Sequence, residues 1–160
     1  MNKFLQLGYY TSSLPESYYR KIKRKVGKKK EKELVIAVIN AVYKEFNQNH
    51  RYVMTTKNLK LSRFIPLGKV IKMKLITCAT VSAIVAVVLR KMGYPTKLIH
   101  GKLKKHNGQS YHAWIEVYLK EKGGFVPFDP SLNQYKITKN HKRLGAYVDW
   151  RELQEKRKNI

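Results

Sequence analysis

The sequence holds a single cysteine, Cys78, among 160 residues, so no intrachain disulfide can form and nothing in it calls for an oxidising compartment. A cytoplasmic setting is the default expectation. Acidic residues are also few: Asp and Glu total 10 against 34 Lys and Arg, and the only aspartates are Asp129 and Asp149. There is no run of carboxylates from which to build a calcium loop. Five histidines are scattered as His50, His100, His106, His112 and His141, with no H-E-x-x-H or paired C-x-x-C spacing, so neither metal nor cofactor is expected. The apolar run at 75–89 is shorter than the roughly 18 to 20 residues of a membrane span, and Thr77, Thr80 and Ser82 interrupt it. It reads as a buried helix. Residues 1–8 lack a charged segment followed by an apolar one, which argues against a secretory leader.

What is abundant is positive charge. A formal net charge of +24 exceeds what solubility asks of a small domain, so a polyanionic neighbour is a candidate: nucleic acid, an anionic membrane surface or an acidic substrate. The plainer reading is a solvated basic surface. A content of 43% hydrophobic and 11% aromatic residues suits one compact domain with an ordinary core.

Three regions follow from the patterning. Residues 1–32 are tyrosine-rich and then basic (RKIKRKVGKKKEK from Arg20), which reads as an N-terminal arm or a loosely attached helix. Tyr18 and Tyr19 could there add stacking rings to phosphate contacts. Residues 33–148 carry the elements of a core, and residues 149–160 start D-x-x-E, as a short charged helix or tail. Within the core, Leu34, Val35, Val38, Ile39, Val42, Tyr43 and Phe46 predict an amphipathic helix over 33–47. Residues 48–75 show no sustained period, and Pro66-Leu67-Gly68 marks a turn. A helix over 79–91 ends in Arg90, Lys91, Gly93 and Pro95, all stop signals. Strands are predicted over 96–103, 111–119 and 125–128, the last two joined as a hairpin through Gly123-Gly124.

The chemistry of the chain rests on Cys78. A cysteine nucleophile needs a positive field, a base within reach and a group that fixes the base's tautomer. Cys78 falls where the buried helix begins, so helix N–H groups would lower its thiol pKa below the ordinary value of about 8.5. The local sequence alone favours an inert buried cysteine. The hairpin changes the balance, because it brings Asp129 opposite a residue two or three positions from His112. Each alone has a plain reading, His112 as a strand residue and Asp129 as a turn former before Pro130. Together, in that order, they point to a nucleophile, a base and an orienting carboxylate.

The segment T-C-A-T-V-S-A-I-V-A-V-V-L-R-K-M-G-Y-P-T-K-L-I-H-G, then Y-H-A-W-I-E-V-Y-L, then G-G-F-V-P-F-D-P-S, resembles the transglutaminase-like core. That family has a Cys opening a helix that ends R-x-x-G-[IY]-P, followed by H-A-W-x-E-V and W-x-x-x-D-P-[ST]. The helix at 33–47 with His50-Arg51-Tyr52 looks like the family's preceding helix. The resemblance spans about residues 33–131 and implies an α+β, papain-like fold, a central buried helix packed on an antiparallel β-sheet. It implies Cys78 as nucleophile, His112 as base and Asp129 as orienting group. Two positions depart from the pattern: Thr77 stands where Gly often precedes the Cys, and Phe125 replaces the usual Trp.

The activity expected is cysteine-dependent acyl transfer on the amide bonds of a protein or peptide substrate, to water or to an amine. The backbone N–H of Cys78 would be an oxyanion donor. The alternative is a catalytically inactive basic module that binds nucleic acid or another polyanion.

Overall fold

The computed structural model describes residues 1–49, 51–52, 66–73, 75–131 and 135–158. Its centre is set by Thr77. The Thr77 side chain accepts from the Thr80 N–H, and the Thr80 hydroxyl accepts from the Thr77 N–H, a reciprocal cap that fixes where a helix must start. The helix that follows, Cys78–Lys91, is buried from Cys78 through Arg90. Val81, Ile84, Val85, Val87 and Val88 favour strand by propensity, but the penalty is only about 0.5 kcal/mol per residue. Packing on all sides overrides it. The helix stops where Gly93 turns left-handed at φ 90°, and the Tyr94 N–H closes onto the Leu89 carbonyl at 2.9 Å. Buried Arg90 then donates from Nε and Nη2 to the Thr96 carbonyl, at 3.0 and 2.8 Å, clamping the helix to the strand that follows.

In chain order the elements are α1 (Glu16–Val26), α2 (Glu31–Asn49), β1 (Arg51–Tyr52), α3 (Leu67–Met73), β2 (Leu75–Ile76), α4 (Cys78–Lys91), β3 (Thr96–Lys105), β4 (Gly108–Leu119), β5 (Gly124–Phe128), β6 (His141–Tyr147) and α5 (Trp150–Lys158). Strands β5-β4-β3-β6 form one antiparallel sheet, and β1 and β2 pair in parallel. Along β4, Ala113, Ile115, Val117 and Leu119 join Leu98, Phe128 and Tyr147 in the core against α4. This is the α+β arrangement expected, a buried helix on an antiparallel sheet. Among the described residues, no helix is long and apolar enough to cross a membrane.

Three readings change. The N-terminal region is packed rather than loose, because Tyr18, Tyr19, Ile22 and Val26 of α1 enter the core. Tyr18 and Tyr19 are each 8% exposed, so neither ring is available to stack on a base. A strand absent from the expectations, β6, lies beside β3, and a short helix, α3, begins at Leu67 where Pro66-Leu67-Gly68 reads as a turn; His50 lies outside the described residues. Asp149 does cap the last helix, with Oδ1 accepting from the Arg151 N–H at 2.9 Å and Glu152 Oε1 accepting from the Asp149 N–H at 3.1 Å. Its other oxygen accepts from the N–H groups of Tyr10 and Thr11 and from the Thr11 hydroxyl. One buried carboxylate thus ties the two ends of the chain together.

Candidate active site

Cys78 is the first residue of α4 and is 5% exposed. The residue before it, where the motif often has Gly, is the helix cap Thr77. The unusual residue therefore fixes the turn that presents the cysteine.

His112 sits on β4 opposite Gly101 of β3. Gly101 is required there, since a Cβ would lie 2.3 Å from both the Lys142 carbonyl and Trp114 Cη2. The Trp114 ring uses that space. On the other side β5 pairs with β4, with Phe128 opposite Ile115. Asp129, the next residue, is carried towards His112 as the hairpin reading anticipated. His112 Nε2 and Asp129 Oδ2 are 2.7 Å apart, and His112 is 7% exposed while Asp129 is fully buried. Cys78 lies near enough to the same imidazole to help raise its pKa. The three residues named from the sequence are brought together.

Asp129 takes more hydrogen bonds than the sequence suggested. Its Oδ1 accepts from the Ser131 N–H at 3.0 Å and the Ser131 hydroxyl at 2.7 Å. Its Oδ2 accepts from His141 Nε2 at 2.9 Å as well as from His112. The His141 side chain is fully buried, and its Nδ1 accepts from the Thr138 N–H at 3.1 Å. With Nδ1 an acceptor, the proton of neutral His141 lies on Nε2 and points at Asp129. Trp114 stands edge-on to His141, 5.2 Å between centroids at 87°, and tilted 6.2 Å from His112.

The electrostatics follow from this wiring. Burial alone would raise the pKa of Asp129, but hydrogen bonds from His112 and His141, the His112 charge and Ser131 outweigh it and hold the carboxyl well below the usual range. Burial likewise opposes charge on His112. The Asp129 hydrogen bond and the hydrogen bond and negative charge of Cys78 override it and push His112 up to about 9.

His112, Asp129 and His141 each offer a ligand atom within 4.8 Å of the others, a set that the H-E-x-x-H test could not reveal because β6 supplies its third member. Those atoms are already engaged with one another, and the His141 tautomer directs a proton, not a lone pair, into the cluster. The arrangement suits proton handling better than metal ligation. Sequence reasoning also missed His141, Ser131 and Trp114 as members of the site. Trp114 and Ser131 stood in the H-A-W and D-P-S motifs without being given a role, and Ser131 also has the spacing of an Asx turn, a hydroxyl two residues after an aspartate.

The family model described as the transglutaminase-like superfamily matches residues 20–130. Two solved structures are similar. One is a candidate cysteine protease from Cytophaga hutchinsonii, at 18% identity and a TM-score of 0.65, covering 91% of this chain and 46% of that one. The other is the structure of a TGase, at 18% identity and a TM-score of 0.52, covering 81% of this chain and 34% of that one. This chain thus spans less than half the length of either. At that identity the likeness is one of fold. No curated protein matches the chain at a significant level.

Proposed function

Because the chain belongs to the transglutaminase-like superfamily, we propose that it catalyses cysteine-dependent acyl transfer on amide bonds, with Cys78 as nucleophile, His112 as acid and base, and Asp129 as the orienting carboxylate. The observation that carries this reading is the 2.7 Å contact of His112 Nε2 with Asp129, on an imidazole whose pKa the neighbouring Cys78 helps to raise. Residues 33–148 are the catalytic unit, with 1–32 and 149–160 packed onto it as flanks.

The reaction proceeds as a covalent exchange. The sulfur attacks the amide carbonyl, forming a C–S bond and a tetrahedral oxyanion that accepts a hydrogen bond from the backbone N–H of Cys78 at the start of α4. With a pKa near 9, His112 is protonated at neutral pH. It gives that proton to the amine as the C–N bond breaks, leaving a thioester. In the second half, water or a primary amine attacks the thioester and His112 takes its proton. The products are a carboxylic acid or a new amide, and the free sulfur. Asp129 keeps the imidazole in the tautomer that directs Nδ1 at the sulfur, and His141 and Ser131 hold Asp129.

The test is release of ammonia from casein, with and without added hydroxylamine. Hydroxamate formed by the wild type and abolished in Cys78→Ala supports transfer to amines. Ammonia or new amino termini without hydroxamate support hydrolysis. Equal signals from wild type and Cys78→Ala would refute the nucleophile.

A further inference from the structure

The chain has two tryptophans. Trp114 belongs to the site, whereas Trp150 opens α5, beyond the residues 20–130 that the family model matches. An indole has one N–H to place and no acceptor of its own, so the partner of a buried one shows what the residue is fixed to. Trp150 is 1% exposed, and its Nε1–H donates to the Ala79 carbonyl at 3.0 Å. Ala79 directly follows Cys78. A bond that spans 71 positions of the chain thus ends one residue from the nucleophile.

The peptide unit that Trp150 holds also closes the helix cap. Ala79 gives it the carbonyl, and its N–H, that of Thr80, donates to Thr77 Oγ1 at 3.3 Å. Donation to the carbonyl polarises the unit and strengthens its N–H as a donor. The unit is therefore fixed at its oxygen by the indole and at its nitrogen by the threonine. Thr77 is held in return, its N–H donating to Thr80 Oγ1 at 2.8 Å. Cys78 lies between these two fixed points, which leaves its backbone little freedom to turn.

The indole itself stands on a firm base. Asp149, the residue before it, is 4% exposed. Its Oδ2 accepts from the N–H groups of Tyr10 and Thr11 at 3.0 and 2.9 Å, and its Oδ1 from the Arg151 N–H at 2.9 Å. The Tyr147 ring lies 6.4 Å from the Trp150 ring, and Leu153, on the next turn of α5, packs in the same core. The plain role of such a bond is to satisfy a buried donor. What singles this one out is its acceptor, the peptide unit shared with the cap that presents Cys78.

We propose that Trp150 is a positioning residue for Cys78: through the Ala79 carbonyl it sets the first turn of α4, and with it the aim of the Cys78 sulfur and of the Cys78 N–H that meets the oxyanion. This rests on Cys78 being the nucleophile. A displacement of 1 Å at a reacting group can cost about a hundredfold in rate, so a bond that fixes this turn acts on reactivity as well as on stability.

Two variants separate these effects. Trp150→Phe keeps most of the ring and loses the N–H, while Leu153→Ala opens the core from the same helix and leaves the bond in place. Both are compared with the wild type in the rate of Cys78 alkylation by iodoacetamide from pH 4 to 9, and both lose stability in urea unfolding. The expected result is that Trp150→Phe alone moves the profile to higher pH, reacting about tenfold more slowly on its acid side. His112, which stands at about 9 with help from Cys78, should also titrate lower by NMR in that variant. If the wild type reacts at low pH and Trp150→Phe follows the same profile, the nucleophile stands and Trp150 is merely structural. If Leu153→Ala moves the profile as far, loosened packing explains the effect and the proposal is overturned. If the wild type reacts like a free thiol, the reading of Cys78 fails and the positioning role with it. Where Trp150→Phe does not fold, the wild type answers through deuterium exchange at the Trp150 indole before and after alkylation of Cys78. Coupling between two groups is reciprocal, so exchange hastened by the modification supports the proposal and unchanged exchange overturns it.

Discussion

Replacing Asp129 by Asn keeps the shape of the side chain and removes its charge. His112 stands at about 9 where an ordinary histidine has 6.5, a rise of about 2.5, which corresponds to roughly 3 kcal/mol of preference for the imidazolium. Asp129 and Cys78 share that preference. A carboxylate in direct contact accounts for a change of about 1 to 3 in pKa, so Asp129→Asn should bring His112 down to about 7. The sign for stability runs with it. In the wild type, the His112 contribution is complete below 6.5 and is lost as pH rises through about 9. The Asp129 contribution is present above 3.8 and is lost as pH falls below that. Between them they stabilise the fold most from about pH 4 to pH 6.5, with a decline towards pH 9 that the Asn variant should flatten. The assay is an NMR titration of the five histidine rings, with His112 assigned by its disappearance in His112→Gln, alongside urea unfolding at several pH values. A His112 pKa still near 9 in Asp129→Asn, or an ordinary one in the wild type, would refute the coupling.

Three further outcomes are expected. His141→Phe should slow Cys78 alkylation about tenfold by releasing Asp129, His141→Gln should restore much of the rate by supplying a donor near Nε2, and neither change should matter in an Asp129→Asn background; additive effects in that double variant would make His141 merely structural. Gly101→Ala forces a methyl against the Lys142 carbonyl and the Trp114 ring, and should cost about 3 kcal/mol in urea unfolding; a loss below about 0.5 kcal/mol would mean that the strand shifts freely. Asp149→Ala strips the acceptor from the buried N–H groups of Tyr10 and Thr11 and should cost about 3 kcal/mol, with amide exchange at those two groups rising together.

Much of the site was legible because its three central residues sit on elements with strong local signals. The stop signals after Arg90 located α4, the strand expected over 111–119 carries His112, and Gly123-Gly124 closed the hairpin that delivers Asp129. What could not be seen depends on long-range pairing. β6, with the sequence HKRLGAY, has no apolar alternation: Lys142, Arg143 and Leu144 are exposed in succession and only Tyr147 is buried. His141 therefore looked like one more scattered histidine, although it reaches Asp129 across the sheet. The helical stripe of Tyr18, Tyr19, Ile22 and Val26 was hidden by the lysines and arginines between them, and a chain segment that packs in the core read as an arm. The spare residue before Cys78 looked like a departure from a motif until its hydroxyl proved to be the helix cap.

The central claim is that Cys78 and His112 act as one unit, and the most direct test is the rate of Cys78 alkylation by iodoacetamide from pH 4 to 9 in the wild type and in His112→Ala. A coupled pair predicts reaction well below the pH at which a free thiol responds, and a shift of the whole profile to higher pH in the variant. A slow profile that is the same in both proteins would make Cys78 a structural residue and contradict the assignment.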